Sequence, residues 1–106
     1  MPDLYVIVHE AAVDFSIEYL SGGERAAALR VKKELSSIRY CCNPIEIDCD
    51  KLPYASAQPP DGLPPTSDGL TIVLAGAYRS MCVTSQQLAL EKAGYSVRVH
   101  EPGCLD

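Results

Sequence analysis

Thr71-Ile-Val-Leu-Ala-Gly76-Ala-Tyr-Arg-Ser-Met-Cys82-Val83, continued to Gly94-Tyr95-Ser-Val-Arg-Val-His100, decides the fold. Thr71 to Ala75 is short, apolar and partly β-branched, as in a strand buried on both faces. A turn containing Gly76 follows. Ser80 or a neighbour then caps a helix that starts beside Cys82. Thr84, Gln87 and Glu91 form its polar side, with Met81, Cys82, Leu88 and Ala89 expected to face inward. Gly94 suits the left-handed position just past a helix end. Tyr95, Val97 and Val99 alternate with Ser96, Arg98 and His100, which predicts a second strand. A thiol at the start of such a helix lies near free backbone N–H groups and the positive end of the helix dipole, and both favour the thiolate.

Working outward, Leu4-Tyr-Val-Ile-Val-His9 is a second nearly continuous apolar run and predicts a buried strand, with Glu10 at its carboxyl end. Ala11 to Leu20 predicts a helix with Val13, Ile17 and Leu20 on one side, broken by Ser21-Gly22-Gly23. Glu24 to Ile38 is the clearest helix. Ala28, Val31, Leu35 and Ile38 form one stripe, while Arg25, Lys32 and Lys33 face water. Cys42-Asn43-Pro44 ends it. Ile45-Glu-Ile-Asp-Cys49 alternates apolar and acidic residues, as in a strand with one wetter face, and Lys51 follows. Residues 51–70 hold five of the eight prolines and read as a lid or a disordered loop. The polar tail, Glu101 to Asp106, is expected to fray. The order of elements predicts a single α/β domain over residues 1–106. Its small, mainly parallel sheet of about four strands is flanked by helices in a Rossmann-like three-layer arrangement with right-handed crossovers.

Composition excludes several classes. The net charge is −5 with no basic stripe, which argues against nucleic acid. No apolar run approaches the roughly 20 residues that span a bilayer. Leu4 to Val8 is too short for a secretory signal and lacks a basic lead-in, so the expected location is the cytoplasm. Five cysteines, an odd number without a C-x-x-C pair, are expected to be reduced thiols. Cys41 and Cys42 read as small hydrophobes, with a metal or thiol-sensor role as the alternative.

In parallel α/β sheets ligands sit beyond the carboxyl ends of the strands. Position alone brings Glu10, Lys51, the Gly76-to-Cys82 turn and His100-Glu101 to that rim. A carboxylate can take a thiol proton, a nearby lysine steadies the thiolate, and turn N–H groups can bind an oxyanion. Each residue also has a simpler role: a packing cysteine, a solvated lysine, a helix-capping carboxylate. His9 and His100 flank the same rim and read as satisfied or solvated histidines.

Gly76-Ala-Tyr-Arg-Ser-Met-Cys82-Val83, followed by a helix ending in Ala93-Gly94-Tyr95, resembles the nucleophile region of the isochorismatase-like cysteine hydrolases, which include the nicotinamidases. Lys51-Leu-Pro-Tyr54-Ala-Ser-Ala57 is similar to the lysine segment of that family, and the first strand through Asp14-Phe15 to its aspartate strand. The resemblance implies Cys82 as nucleophile, Glu10 as general base and acid, and Lys51 as thiolate stabiliser. It implies an oxyanion hole from the backbone N–H groups of Tyr78 and Cys82, shaped by a cis peptide between Ala77 and Tyr78. Phe15, Tyr54 and Arg79 are the expected substrate contacts, and a small amide or carbamoyl compound is the expected substrate. Glu10 stands where the family has aspartate, Ala12 where it has glutamine, and Gln58 where it has phenylalanine. The stretch before Lys51 is shorter by about one strand–helix unit. The metal-binding Asp-x-His pattern is absent, so neither metal nor cofactor is expected. A shortened chain that keeps the sheet but not the pocket, serving as a binding or assembly domain, is the alternative. A sheet this small also leads one to expect a homo-oligomer.

Overall fold

The computed structural model describes residues 3–48, 58–67 and 69–106. Strand β1 (Asp3–Val8) leads into helix α1 (Glu10–Tyr19), and helix α2 (Gly22–Cys42) returns the chain to strand β2 (Ile45–Ile47). Strand β3 (Thr71–Ala77) passes through a π turn (Arg79–Val83) into α3 (Thr84–Lys92), and β4 (Ser96–Leu105) completes the sheet. All neighbouring strands are parallel, in the order β2-β1-β3-β4. The small parallel α/β architecture is the one the sequence predicts.

Side chains alternate across a strand, and this alternation sorts the core into two layers. Ile7, Ala75 and Ala77 face α1 and α2, where they meet Ala12, Val13, Ala28, Val31, Leu35 and Ile38. The predicted α2 stripe is therefore the buried one. Val6, Val8, Ile72 and Leu74 face the other way and pack with Val83, Leu90 and the partly buried Leu63 and Cys82. Asn43 ends α2 in a left-handed conformation, and Gly94 does so after α3.

Several expectations are corrected. Met81 and Leu88 do not face inward: they are 62% and 63% exposed, and the buried stripe is Val83, Gln86 and Leu90. The π turn is the cause. Val83 N–H reaches back five residues to the Tyr78 carbonyl, and this wider turn rotates the face presented to the sheet. Leu20 is exposed, and Ser16 is buried in α1 instead, its hydroxyl donating to the Ala12 carbonyl at 3.0 Å. Glu101 to Asp106 does not fray. After an irregularity between Leu74 and Gly76, Cys104 pairs with Gly76 and Leu105 with Ala77, and Leu105 joins the core beside α1 and α2. Cys41 and Cys42 are joined in a disulfide rather than reduced, while Cys82 and Cys104 are free thiols. Of the proline-rich run, residues 58–67 lie against the α3 layer. Gln86 Nε2 donates to the Gln58 carbonyl at 3.0 Å, and the Tyr95 hydroxyl donates to the Pro64 carbonyl at 2.6 Å.

Gly76 is paired with Val8 across the two central strands, with no room between it and the Val8 carbonyl for a side chain. Its φ is +123°, and a Cβ there would stand 2.0 Å from the Val8 carbonyl oxygen. A side chain at this position must push β1 and β3 apart. Gly76→Ala is expected to cost at least about 3 kcal/mol or to prevent folding. Gly23, inside α2 with nothing within 4 Å of an added Cβ, is the control. Gly23→Ala should be neutral or stabilising by up to about 1 kcal/mol. Urea unfolding of the two variants checks both.

Candidate active site

The turn after β3 carries the nucleophile candidate. The Ala77–Tyr78 peptide is cis, at the position where the family resemblance places such a bond. The Tyr78 carbonyl then accepts from Met81 N–H at 2.9 Å and Val83 N–H at 3.1 Å, which closes the π turn around Cys82. Tyr78 packs against the α1–α2 side of the core and Cys82 against the α3 side. The turn therefore straddles the end of the sheet, with Cys82 half-buried. Asp106 supplies a cap that the sequence reading missed: its Oδ1 accepts from both the backbone N–H and the hydroxyl of Ser80.

Arg79, expected at the substrate, is held within the protein. Its Nε pairs with Glu101 at 2.5 Å, and Nη1 donates to Thr84 Oγ1 at 3.1 Å. Phe15 is 53% exposed on α1 and stacks on Tyr19 with ring centroids 4.8 Å apart, as expected for an i, i+4 aromatic pair. Lys51 and Tyr54 lie outside the described residues.

Glu10 occupies a different environment from the expected one. Its Oε1 accepts from Arg39 Nη2, and its Oε2 accepts from Lys32 Nζ at 2.9 Å. Arg39 also binds Glu46, and Lys32 also binds Asp14. Burial alone would raise the Glu10 pKa, but the hydrogen bonds from Arg39 and Lys32 outweigh it and hold the carboxyl below its ordinary range. Both oxygens are thus committed to α2, which covers the sheet face opposite to the one Cys82 packs against. The carboxylate is paired with the α2 cations rather than with the thiol. The two α2 cations, assigned to solvent or left unassigned from sequence, are the physical reason.

At the rim, the sequence reading undervalued His9. It links β1 to α1 in the left-handed region, with φ 53° and ψ 50°. Its N–H donates to the Ile47 carbonyl at 2.7 Å, tying the end of β1 to β2. The side chain is 13% exposed, and Nδ1 stands 3.8 Å from Asp48 Oδ1. A histidine directly after a nearly continuous apolar run was the signal in the sequence. Non-glycine residues with positive φ are uncommon and concentrate at functional sites.

Two clefts open near this rim. One of about 400 Å³ is bounded by Ser16, Glu24, Tyr78, Leu105 and Asp106. The other, about 310 Å³, is bounded by Glu10, Asp14, Glu46 and Asp48. Among the described residues no group of three or more His, Cys, Asp or Glu side chains is placed to hold a metal ion. None of their helices is long and apolar enough to cross a membrane. No family model, curated protein or solved structure matches the chain.

A depressed carboxyl stabilises the fold above its ordinary value of 4.5 and loses that contribution as pH falls through the lower folded value. Glu10→Gln should therefore cost roughly 1–3 kcal/mol at neutral pH. It should also lessen the decline in stability between about pH 5 and pH 3. Urea titrations across that range measure both effects.

Proposed function

We propose that the chain is a shortened isochorismatase-like cysteine hydrolase that cleaves a small amide, carbamoyl or related substrate through a thioester on Cys82. The turn from Gly76 to Val83 carries the proposal. It combines a half-buried thiol, a cis Ala77–Tyr78 bond where the family has one and, on the Tyr78 side of the turn, a cleft of about 400 Å³. That volume suits a small molecule. The Cys82 thiolate attacks the carbonyl carbon, and the electrons of the C=O bond move onto oxygen. The backbone N–H groups of Tyr78 and Cys82 are the proposed hydrogen-bond donors to that oxyanion. Collapse breaks the C–N bond, and the amine leaves with the proton taken from the thiol. Water then attacks the thioester, giving the acid and restoring the thiol.

A second proposal, a binding or assembly domain without catalysis, is favoured by the commitment of Glu10 to Arg39 and Lys32. Phe15, Tyr19, Met81 and Leu88 are exposed on the two outer layers and suit a second copy of the chain. For this alternative, sedimentation should rise with concentration while hydrolysis is absent. A concentration-independent monomer counts against assembly.

Cys104 is the internal standard for the hydrolase. Burial, with Glu101 nearby, pushes its thiol up to about 11, so it is protonated at neutral pH. Iodoacetamide at pH 7 is expected to label Cys82 at least about 10-fold faster than Cys104. Cys82→Ser should abolish turnover of a panel of small amides and carbamoyl compounds while leaving the circular dichroism spectrum unchanged. Equal, slow labelling of the two thiols would overturn the hydrolase proposal.

A further inference from the structure

We propose that the cleft between helix α2 and the end of strand β4 is a binding site for a small carboxylate with an apolar body, held by Arg30 and Lys33. The inference is independent of the hydrolase proposal, no step of which uses this cleft. Its volume is about 520 Å³, within the range of small-molecule sites. Ala27 and Val31 line it from α2, and Pro102 and Leu105 from β4. These four supply apolar surface for the body of a ligand. Val31 and Leu105 are also part of the buried core, so this part of the lining is fixed in place.

The charged groups of the cleft are unevenly committed. Arg30, Lys33 and Ser37 stand at spacings of three and four on α2 and share one face of the helix. Among the described residues, neither cation has an ion pair or a side-chain hydrogen bond. Their neighbours on the same helix differ: Lys32 is held by Glu10 and Asp14, and Arg39 by Glu10 and Glu46. The acids lining the cleft are engaged as well. His100 Nε2 stands 3.5 Å from Glu34 Oε2, and Asp106 Oδ1 accepts from the N–H and hydroxyl of Ser80. Burial, with Glu101 nearby, keeps Cys104 protonated at neutral pH, so the sulfur on this wall carries no charge. The uncommitted charge is therefore positive, in a chain whose net charge is −5. Side chains three apart on a helix have Cβ atoms about 5–6 Å from one another, so both cations can reach one anionic group. A guanidinium offers a planar fork that matches a carboxylate, the ammonium adds a point charge, and the Ser37 hydroxyl adds a donor. Glu34 and Asp106 line the same cleft, which tells against a dianionic phosphate and favours a monoanion.

The test is a titration of the full chain with benzoate at low salt and about pH 7, followed by backbone amide resonances. Benzamide, the neutral analogue, and phenyl phosphate, mainly dianionic at this pH, run alongside. Benzoate should shift the amides of residues 27–37 and 102–106, and benzamide should bind at least about 10-fold more weakly. Arg30→Gln should weaken benzoate binding by about 10-fold, and Lys33→Gln by a smaller factor. Raising the salt to about 0.5 M should weaken binding by about 3-fold or more. Lys92→Gln, on α3 in the opposite layer, should leave it unchanged. The proposal is overturned by shifts that miss both segments, or by benzamide binding as tightly as benzoate. It is equally overturned by phenyl phosphate binding more tightly than benzoate, or by Arg30→Gln and Lys33→Gln both binding like the wild type.

Discussion

A close approach between the backbones of the two central strands is what lets everything else line up. At Gly76 the carbonyl of Val8 fills the space a side chain would need. The two central strands therefore end level with one another, and both chains must turn at once. One turns through His9 into α1, and the other through the cis peptide into the π turn. A residue with a Cβ at position 76 would separate the strands and carry the two turns apart. The steric demand at one backbone position is thus upstream of the rim chemistry.

Electrostatics then divides the rim. The α2 face that buries Ala28, Val31, Leu35 and Ile38 also brings Lys32 and Arg39 over the start of α1. A carboxylate placed there is drawn into a network with Asp14 and Glu46 that ties α1, α2 and β2. Its ionised form is favoured, and its proton affinity falls accordingly. Such a group holds the three elements together but makes a poor proton carrier.

The layers were legible because apolar periodicity reports burial directly. The runs at Leu4–Val8 and Thr71–Ala75, the α2 stripe and Gly94 each carry a local signal that packing only confirmed. What was not legible depended on contacts between distant segments. Met81 and Leu88 looked inward on a regular helix, but the five-residue turn after Tyr78 moved Gln86 and Leu90 into their place. The partners of Glu10 sit 22 and 29 residues away on α2, and no local pattern announces them. The tail looked polar and loose, yet Leu105 is pulled into the core and Asp106 onto Ser80. His9 was visible as a residue, but its left-handed backbone and its carboxylate neighbour were not.

The attachment of residues 58–67 has a consequence for the layer beneath it. Helix α3 has nine residues, below the length at which a helix holds itself together in water. The segment is anchored by Gln86 on α3 itself and by Tyr95 just beyond it. Four prolines lie in this segment: Pro59, Pro60, Pro64 and Pro65. Their restricted φ leaves little conformational freedom to surrender when the segment lies down. A stiff outer brace, ordered at small entropic cost, thereby supplies the thin third layer with support that a longer helix would have provided for itself.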